Sequence, residues 1–218
     1  MEIKQRHPWP QSKSEAIAIQ EKLREETIAY DMLSPIQYVA GVDVGYDENN
    51  IARAAVAVLS FPTLEKVEVA IATKLATFPY IPGLLSFREV PAILDALEKL
   101  SITPDLLLCD GQGLAHPRRF GLACHLGVIA NLPSIGVAKS LFIGEHDEVT
   151  PERGSWQPLI DQGETVGAVL RSRTGVKPIY VSIGHRISLR SAIDYVLRCA
   201  PKYRLPETTR MADSLASV

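Results

Sequence analysis

The chain has 218 residues, 46% hydrophobic and 22% charged, with a formal net charge of −2. The length suits one α/β domain, expected to span residues 1–218, and the composition excludes a disordered chain. Near-neutral charge argues against a nucleic-acid partner held by bulk positive charge, the absence of a long apolar run excludes a membrane span, and the polar first residues exclude a secretory signal.

In chain order, Ser12 followed by Glu15 reads as a capping box, and Ile19, Leu23, Thr27 and Tyr30 then share one face of an amphipathic helix. After Ser34-Pro35 three strand-like runs follow, 38–46, 53–60 and 66–77, joined by short connections that imply an antiparallel meander. A helix is predicted over 86–100 and a short buried strand over 106–109, parallel to the first. Beyond it the pattern predicts a helix near 120–130, strands near 134–137, 164–171 and 178–182, a helix near 189–199, and a short helix after Pro206. Cys109, Cys124 and Cys199 form no C-x-x-C pair, which argues against disulfides and structural zinc and points to the reducing cytoplasm.

The charge is unevenly distributed. Residues 111–144 and 165–193 contain no Asp or Glu, yet carry Arg118, Arg119 and Lys139, and Arg171, Arg173, Lys177, Arg186 and Arg190. Such segments can build one positive face for a polyanion, or can be neutralised by acids from elsewhere in the fold.

Asp43 sits in Gly41-Val42-Asp43-Val44-Gly45, where strand alternation puts Gly41, Asp43 and Gly45 on one face. The carboxylate then stands in a clearing open to a metal ion, a phosphate or a nucleic-acid backbone. Asp110 ends the 106–109 run and opens a Gly-rich turn, the position where α/β sheets place ligands. If the two strands are neighbours, the two aspartates face each other and call for a hard divalent cation such as Mg²⁺. Glu89 either completes a capping box from Ser86 or turns inward with Ile93 and Leu97, and the inward reading is preferred. Asp213 reads as an exposed helix acid in preference to a late-arriving ligand. Lys139 follows a strand and His116 follows the Gly-rich turn, where each can meet a phosphate.

The set Val42-Asp43-Val44-Gly45-Tyr46, Pro79-Tyr80-Ile81-Pro82-Gly83, Phe87-Arg88-Glu89, Asp110-Gly111-Gln112-Gly113, His116-Pro117-Arg118, Gly136-Val137-Ala138-Lys139-Ser140 and Gly184-His185 resembles the endonuclease V family. The resemblance covers most of the chain. It implies an α/β fold on the ribonuclease H-like plan, a mixed sheet of an antiparallel three-strand meander plus parallel strands, flanked by helices. It also implies a Mg²⁺-dependent deoxyribonuclease of DNA repair, with Mn²⁺ as a substitute, acting as a monomer with no membrane partner. Its substrate would be damaged DNA carrying deoxyinosine, with inosine-containing RNA as an alternative, nicked at the second phosphodiester bond 3′ to the lesion to leave 3′-hydroxyl and 5′-phosphate ends.

By the same resemblance Asp43, Glu89 and Asp110 are the metal carboxylates. Asp213 is a further acid whose place some members fill with histidine. Lys139 and His116 would contact or orient the phosphate, and Arg118 the DNA. Pro79, Tyr80, Ile81 and Pro82 would form a strand-separating wedge, and Gly83, Leu85, Gly111, Gly113, Gly121 and Gly136 a base pocket. Prolines around Tyr80-Ile81 would stiffen such a loop, and an aromatic tip can fill the gap of an extruded base. The alternative for this loop is a plain connection with Tyr80 tucked beneath it. Two other functions fit fragments of the pattern. Gly-x-Asp-x-Gly also opens the sugar-kinase and actin-like ATPases, but that plan needs two domains around a cleft. A non-catalytic nucleic-acid-binding module leaves the gathered carboxylates unexplained, because acids without a metal weaken phosphate binding.

Overall fold

The computed structural model describes residues 3 and 5–217, and their centre is one eight-stranded mixed sheet. The strands are β1 (Tyr38–Tyr46), β2 (Ile51–Ser60), β3 (Lys66–Leu75), β4 (Leu106–Asp110), β5 (Ser134–Ala138), β6 (Trp156–Asp161), β7 (Glu164–Leu170) and β8 (Ile179–His185). The helices are α1 (Lys13–Leu23), α2 (Ser86–Leu97), α3 (Leu122–Ala130), α4 (Leu189–Cys199) and α5 (Glu207–Ala216). The sheet order is β3-β2-β1-β4-β5-β8-β7-β6. The meander β1–β3 is antiparallel, β1, β4 and β5 are parallel, and β8, β7 and β6 close the far side antiparallel.

Strand alternation sorts the core into two layers. Ala40, Val42, Leu107 and Cys109 pack with Val90, Ile93 and Leu97 of α2 and with Leu126 and Ile129 of α3. Val39, Leu106 and Leu108 point the other way, toward Ala192 and Val196 of α4 and Met211 of α5. The central strands, covered on both faces, read as continuous apolar runs for this reason.

Several local expectations are corrected. Ser12 caps α1 through Glu15 N–H at 3.2 Å, but the Glu15 carboxylate accepts from Gln11 N–H instead of closing the box on Ser12. The buried side of α1 is Ala16, Gln20 and Leu23; the helix ends before Thr27, and Tyr30 is exposed. Strand β6 was not anticipated. Pro158 interrupts its run and only Leu159 is fully buried, but β6 is the sheet's edge, where a missing N–H is tolerated. Its hairpin to β7 turns on Gln162 and Gly163, both at positive φ.

Candidate active site

The parallel register of β1 and β4 pairs Val42 with Cys109, so the next residues outward, Asp43 and Asp110, lie side by side at the carboxyl ends of the two strands. Both point to the face covered by α5, and α5 adds Asp213. One carboxylate oxygen from each of Asp43, Asp110 and Asp213 lies within 4.8 Å of the others. The reading of Asp213 as a plain surface acid is therefore corrected: it is exposed, but it is aimed at the cluster.

The glycines beside Asp43 also change meaning. A Cβ on Gly41 would lie 2.1 Å from the Thr208 carbonyl carbon, and one on Gly45 would lie 2.2 Å from the Ala216 carbonyl oxygen. The clearing is filled by α5 backbone. Glycine lets the helix lie flush on β1, and that contact brings Asp213 to the acids.

Glu89 stands apart from this tight group because α2 lies on the opposite sheet face. The capping-box alternative for Glu89 is absent: Leu85 is the N-cap and Ser86 Oγ bonds His125 instead. Glu89 is buried, and burial, followed by the charges of Asp43 and Asp110, pushes its carboxyl up to about 8. Asp43 is pushed up to about 6, again by burial first and the Asp110 charge second, against the Val44 N–H and Lys139. Carboxyls raised first by burial and then by one another's charge favour a neighbouring cation. Lys139 supplies some. Its ammonium lies 2.6 Å from Asp110 and 3.5 Å from Asp213. Burial alone would lower the Lys139 pKa, but the hydrogen bond and charge of Asp110, with Asp213 and Asp43, raise it overall.

Asp110 and Lys139 also stand in the wall of a cavity of ≈ 350 Å³. Among the expected pocket residues, Gly83, Leu85, Gly111 and Gly121 line it. Gly113 and Gly136 do not. A Cβ on Gly113 would lie 2.0 Å from the Ile183 carbonyl oxygen, and one on Gly136 would lie 2.5 Å from the Gly113 nitrogen. Those two glycines pack backbone on backbone behind the pocket. Sequence reasoning missed Gln20, Ser86, Gln112, Leu141 and Phe142 in the wall. The one available signal was Leu141-Phe142, an apolar pair directly after Lys139-Ser140.

The wedge segment rises at the mouth. Tyr80 is 68% exposed, which removes the reading of a ring tucked beneath its loop. Below it Phe78, Leu84 and Phe87 form a small core with Ala16. The Gly83 carbonyl, just past the wedge, accepts from Gln20 Nε2 at 2.9 Å, His116 Nε2 at 2.8 Å and Arg118 Nη2 at 2.9 Å. Three donors on one carbonyl fix the loop against α1 and the 111–121 segment.

His116 consequently departs from its expected role. It is buried, Nε2 donates to Gly83, and Nδ1 accepts from Arg118 N–H at 3.1 Å, so neither ring nitrogen is free for a phosphate. Burial pushes it down to about 4, outweighing the Gly83 bond. Arg118 also donates to Gln20, and Arg119 pairs with Asp161 at 2.8 Å and Glu164 at 3.0 Å. Arg171 donates to the carbonyls of Val149, Thr150 and Val176, and Arg186 to that of Asn131. Arg118, Arg119, Arg171 and Arg186 are thus engaged within the fold, while Arg173, Lys177 and Arg190 are exposed.

Known proteins resemble this chain over nearly its whole length. The family model for Endonuclease V matches residues 18–214. An Endonuclease V of Trichormus variabilis is 65% identical, covering 100% of this chain and 99% of the relative, and one of Roseiflexus castenholzii is 58% identical, covering 97% and 95%. The crystal structure of Endonuclease V from Streptomyces avermitilis superposes with a TM-score of 0.92 at 49% identity, covering 95% of this chain and 92% of that one. Ciona intestinalis Endonuclease V, solved in complex with a 24mer DNA containing an inosine followed by a ribo-adenosine, superposes at 0.82 with 32% identity, covering 93% and 95%. With Asp110, Lys139 and the aromatic loop lying on one cavity, and with relatives matched over nearly their whole length, the chain belongs to the endonuclease V family.

Proposed function

We propose that this chain, as a single monomeric unit built on the ribonuclease H-like plan, is a cytoplasmic DNA repair endonuclease. It finds deaminated bases, chiefly deoxyinosine, and hydrolyses the second phosphodiester bond 3′ to the lesion, leaving 3′-hydroxyl and 5′-phosphate ends. The observation that carries this reading is that Asp110 and Lys139 belong at once to the acid cluster and to the wall of the cavity. At ≈ 350 Å³ the cavity is near the lower end of small-ligand pockets, which run from about 300 to 1,000 Å³. A base held there sits beside the carboxylates.

The donor set fits Mg²⁺, with Mn²⁺ as a substitute: hard oxygens only, crowded closely enough to raise one another's proton affinity. Asp43 and Asp110 would hold the ion, with Asp213 beside them and Glu89 reaching in from α2. Once bound, such an ion supplies an activated water and neutralises charge on the leaving oxygen. The chain's own residues do the rest. Tyr80 enters the duplex and takes up the space of the extruded base, and the triple-donor anchor on Gly83 keeps that ring over the cavity. Lys139 offers the phosphate an ammonium that Asp110 positions.

A duplex labelled on the lesion strand and carrying one deoxyinosine tests the reading when incubated with Mg²⁺. One nick at the second 3′ phosphodiester bond is expected, and an intact strand would overturn it. Inosine-containing RNA is the second substrate to try, because the Ciona complexes hold a ribo-adenosine after the inosine. All three cysteines are buried free thiols, which suits a reducing compartment, and no helix of the described residues is long and apolar enough to cross a membrane.

A further inference from the structure

One chain of hydrogen bonds reaches the cavity wall from the N-terminal segment and plays no part in the chemistry above. His7 Nδ1 lies 2.8 Å from the Pro8 carbonyl oxygen, His7 Nε2 lies 2.8 Å from His125 Nε2, and His125 Nδ1 lies 2.9 Å from Ser86 Oγ. His125 is completely buried, with Phe87 at 4.9 Å and Phe120 at 5.4 Å between ring centroids, while Trp9 meets the His7 ring edge-on at 4.9 Å. The His125 ring therefore has no room to turn, and the partly buried His7 ring is held by its bonds to Pro8 and His125.

The direction of every bond in this chain follows from its first member. A carbonyl only accepts, so His7 Nδ1 carries a hydrogen. Burial holds His7 below its ordinary pKa, and burial together with His7 holds His125 well below, so both rings are neutral near pH 7. A neutral imidazole has one N–H. His7 Nε2 is then bare and accepts from His125 Nε2–H, which leaves His125 Nδ1 bare, and the Ser86 hydroxyl must donate to it. Ser86 lines the cavity between Leu85 and the inward-packed Phe87. Its single proton is committed to the protein.

We propose that the Pro8–His7–His125–Ser86 chain makes the Ser86 hydroxyl an acceptor toward the base pocket, so that the pocket selects a base presenting a ring N–H. The proposal rests on the reading of the cavity as a lesion pocket and names what that pocket detects. Deamination of adenine turns an amidine edge into a lactam: ring N1, a bare acceptor in adenine, becomes N1–H in hypoxanthine. A freely rotating serine could satisfy either edge by turning its hydrogen. A serine whose hydrogen is held from behind satisfies the lactam and sets lone pair against lone pair with adenine, the arrangement that gives the strongest discrimination between near-isosteric ligands. Guanine also carries N1–H, so this contact separates deaminated adenine from adenine and leaves guanine to be excluded elsewhere in the pocket. Ser86 is the specificity-determining residue, and His125 and His7 are positioning residues acting through it.

The test measures equilibrium binding by fluorescence anisotropy, with Ca²⁺ in place of Mg²⁺ so that no strand is cut. Three single-stranded oligonucleotides are compared, carrying deoxyinosine, deoxyadenosine or deoxynebularine, a purine that lacks the N1 hydrogen. Ser86→Ala should narrow the preference for inosine over nebularine by about threefold to tenfold, the weight of one hydrogen bond. His7→Ala frees the His125 tautomer and so lets the Ser86 hydrogen turn outward. It should narrow the same preference chiefly by strengthening adenine and nebularine, an effect that loss of packing cannot produce. Melting temperature is recorded for each variant. Equal weakening on all three oligonucleotides, or an unchanged preference in both variants, would refute the relay. Wild-type protein that holds all three equally would refute the lesion pocket itself, and the relay with it.

Discussion

Glu89→Gln replaces a buried acid with a neutral group of the same shape, and its effect on stability can be worked out before any chemistry is measured. Burial, then Asp43 and Asp110, raise the Glu89 carboxyl from 4.5 to about 8. Across that window the folded protein keeps a proton that the unfolded chain gives up, so metal-free stability falls as pH rises from 4.5 to about 8. Each tenfold in proton affinity is about 1.4 kcal/mol, which makes the penalty roughly 1 kcal/mol at about pH 5 and about 3 kcal/mol at about pH 7. Glutamine carries no such penalty. Whatever its amide loses in contacts is independent of pH, so the variant should gain on wild type by about 2 kcal/mol more at the higher pH. For a chain of this length that is a change of about 4 to 8 °C in the melting-temperature difference. Thermal melts of both proteins in EDTA at the two pH values measure it, and saturating Mg²⁺ should flatten the wild-type slope while leaving the variant's nearly unchanged. A melting-temperature difference that is the same at both pH values would refute the argument that this carboxyl is held protonated by its surroundings.

Asp43→Ala and Asp110→Ala should each abolish nicking of a deoxyinosine duplex while lesion binding by gel shift persists, because groove and base contacts carry affinity; nicking at the wild-type rate would contradict the assignment. Tyr80→Ala removes a ring that touches little of its own protein, so its melting temperature should match wild type. Discrimination between lesion and normal duplex should fall with the loss of about 1–3 kcal/mol of stacking and recover on single-stranded substrate, whereas an equal loss on both would end the wedge reading. Replacing Arg118 and Arg119 together by Ala should leave the salt dependence of duplex binding unchanged and destabilise the fold by about 1–3 kcal/mol, since Arg118 holds Gly83 and Arg119 holds Asp161. A flatter salt slope at an unchanged melting temperature would place both residues on the DNA.

Elements whose signal is local were legible in the sequence. The apolar runs of β1, β4 and β5 stand out because they are buried on both faces, and α2, α4 and α5 begin where a break in period places them. Asp43 and Asp110 could be paired because one strand carries each and the connection between them fixes a parallel register. What stayed hidden depended on distant contacts. Asp213 looked like surface because nothing near residue 213 tells that Gly41 and Gly45 admit α5 against β1. The basic segments left a docking face and internal compensation equally open because the acids and carbonyls that engage Arg119, Arg171 and Arg186 lie far along the chain or in irregular loops. His116 looked free because its acceptor, the Gly83 carbonyl, sits in a loop whose position only the folded protein defines. Pro158 concealed β6 by the rule that excludes proline from central strands, a rule that does not bind at an edge.

The docking of α5 on the two bare positions of β1 also makes the three-acid cluster sensitive to residues outside it. Two of the three clustered acids belong to strands that pair early in the chain, while the third is carried by the last helix, whose seat is a strip of β1 backbone. Strand pairing alone therefore places Asp43 and Asp110, whereas the place of Asp213 depends on how closely α5 seats. A side chain added at Gly41 or Gly45 would lift α5 from β1 and so carry Asp213 away from Asp43 and Asp110 without altering any of the three acids.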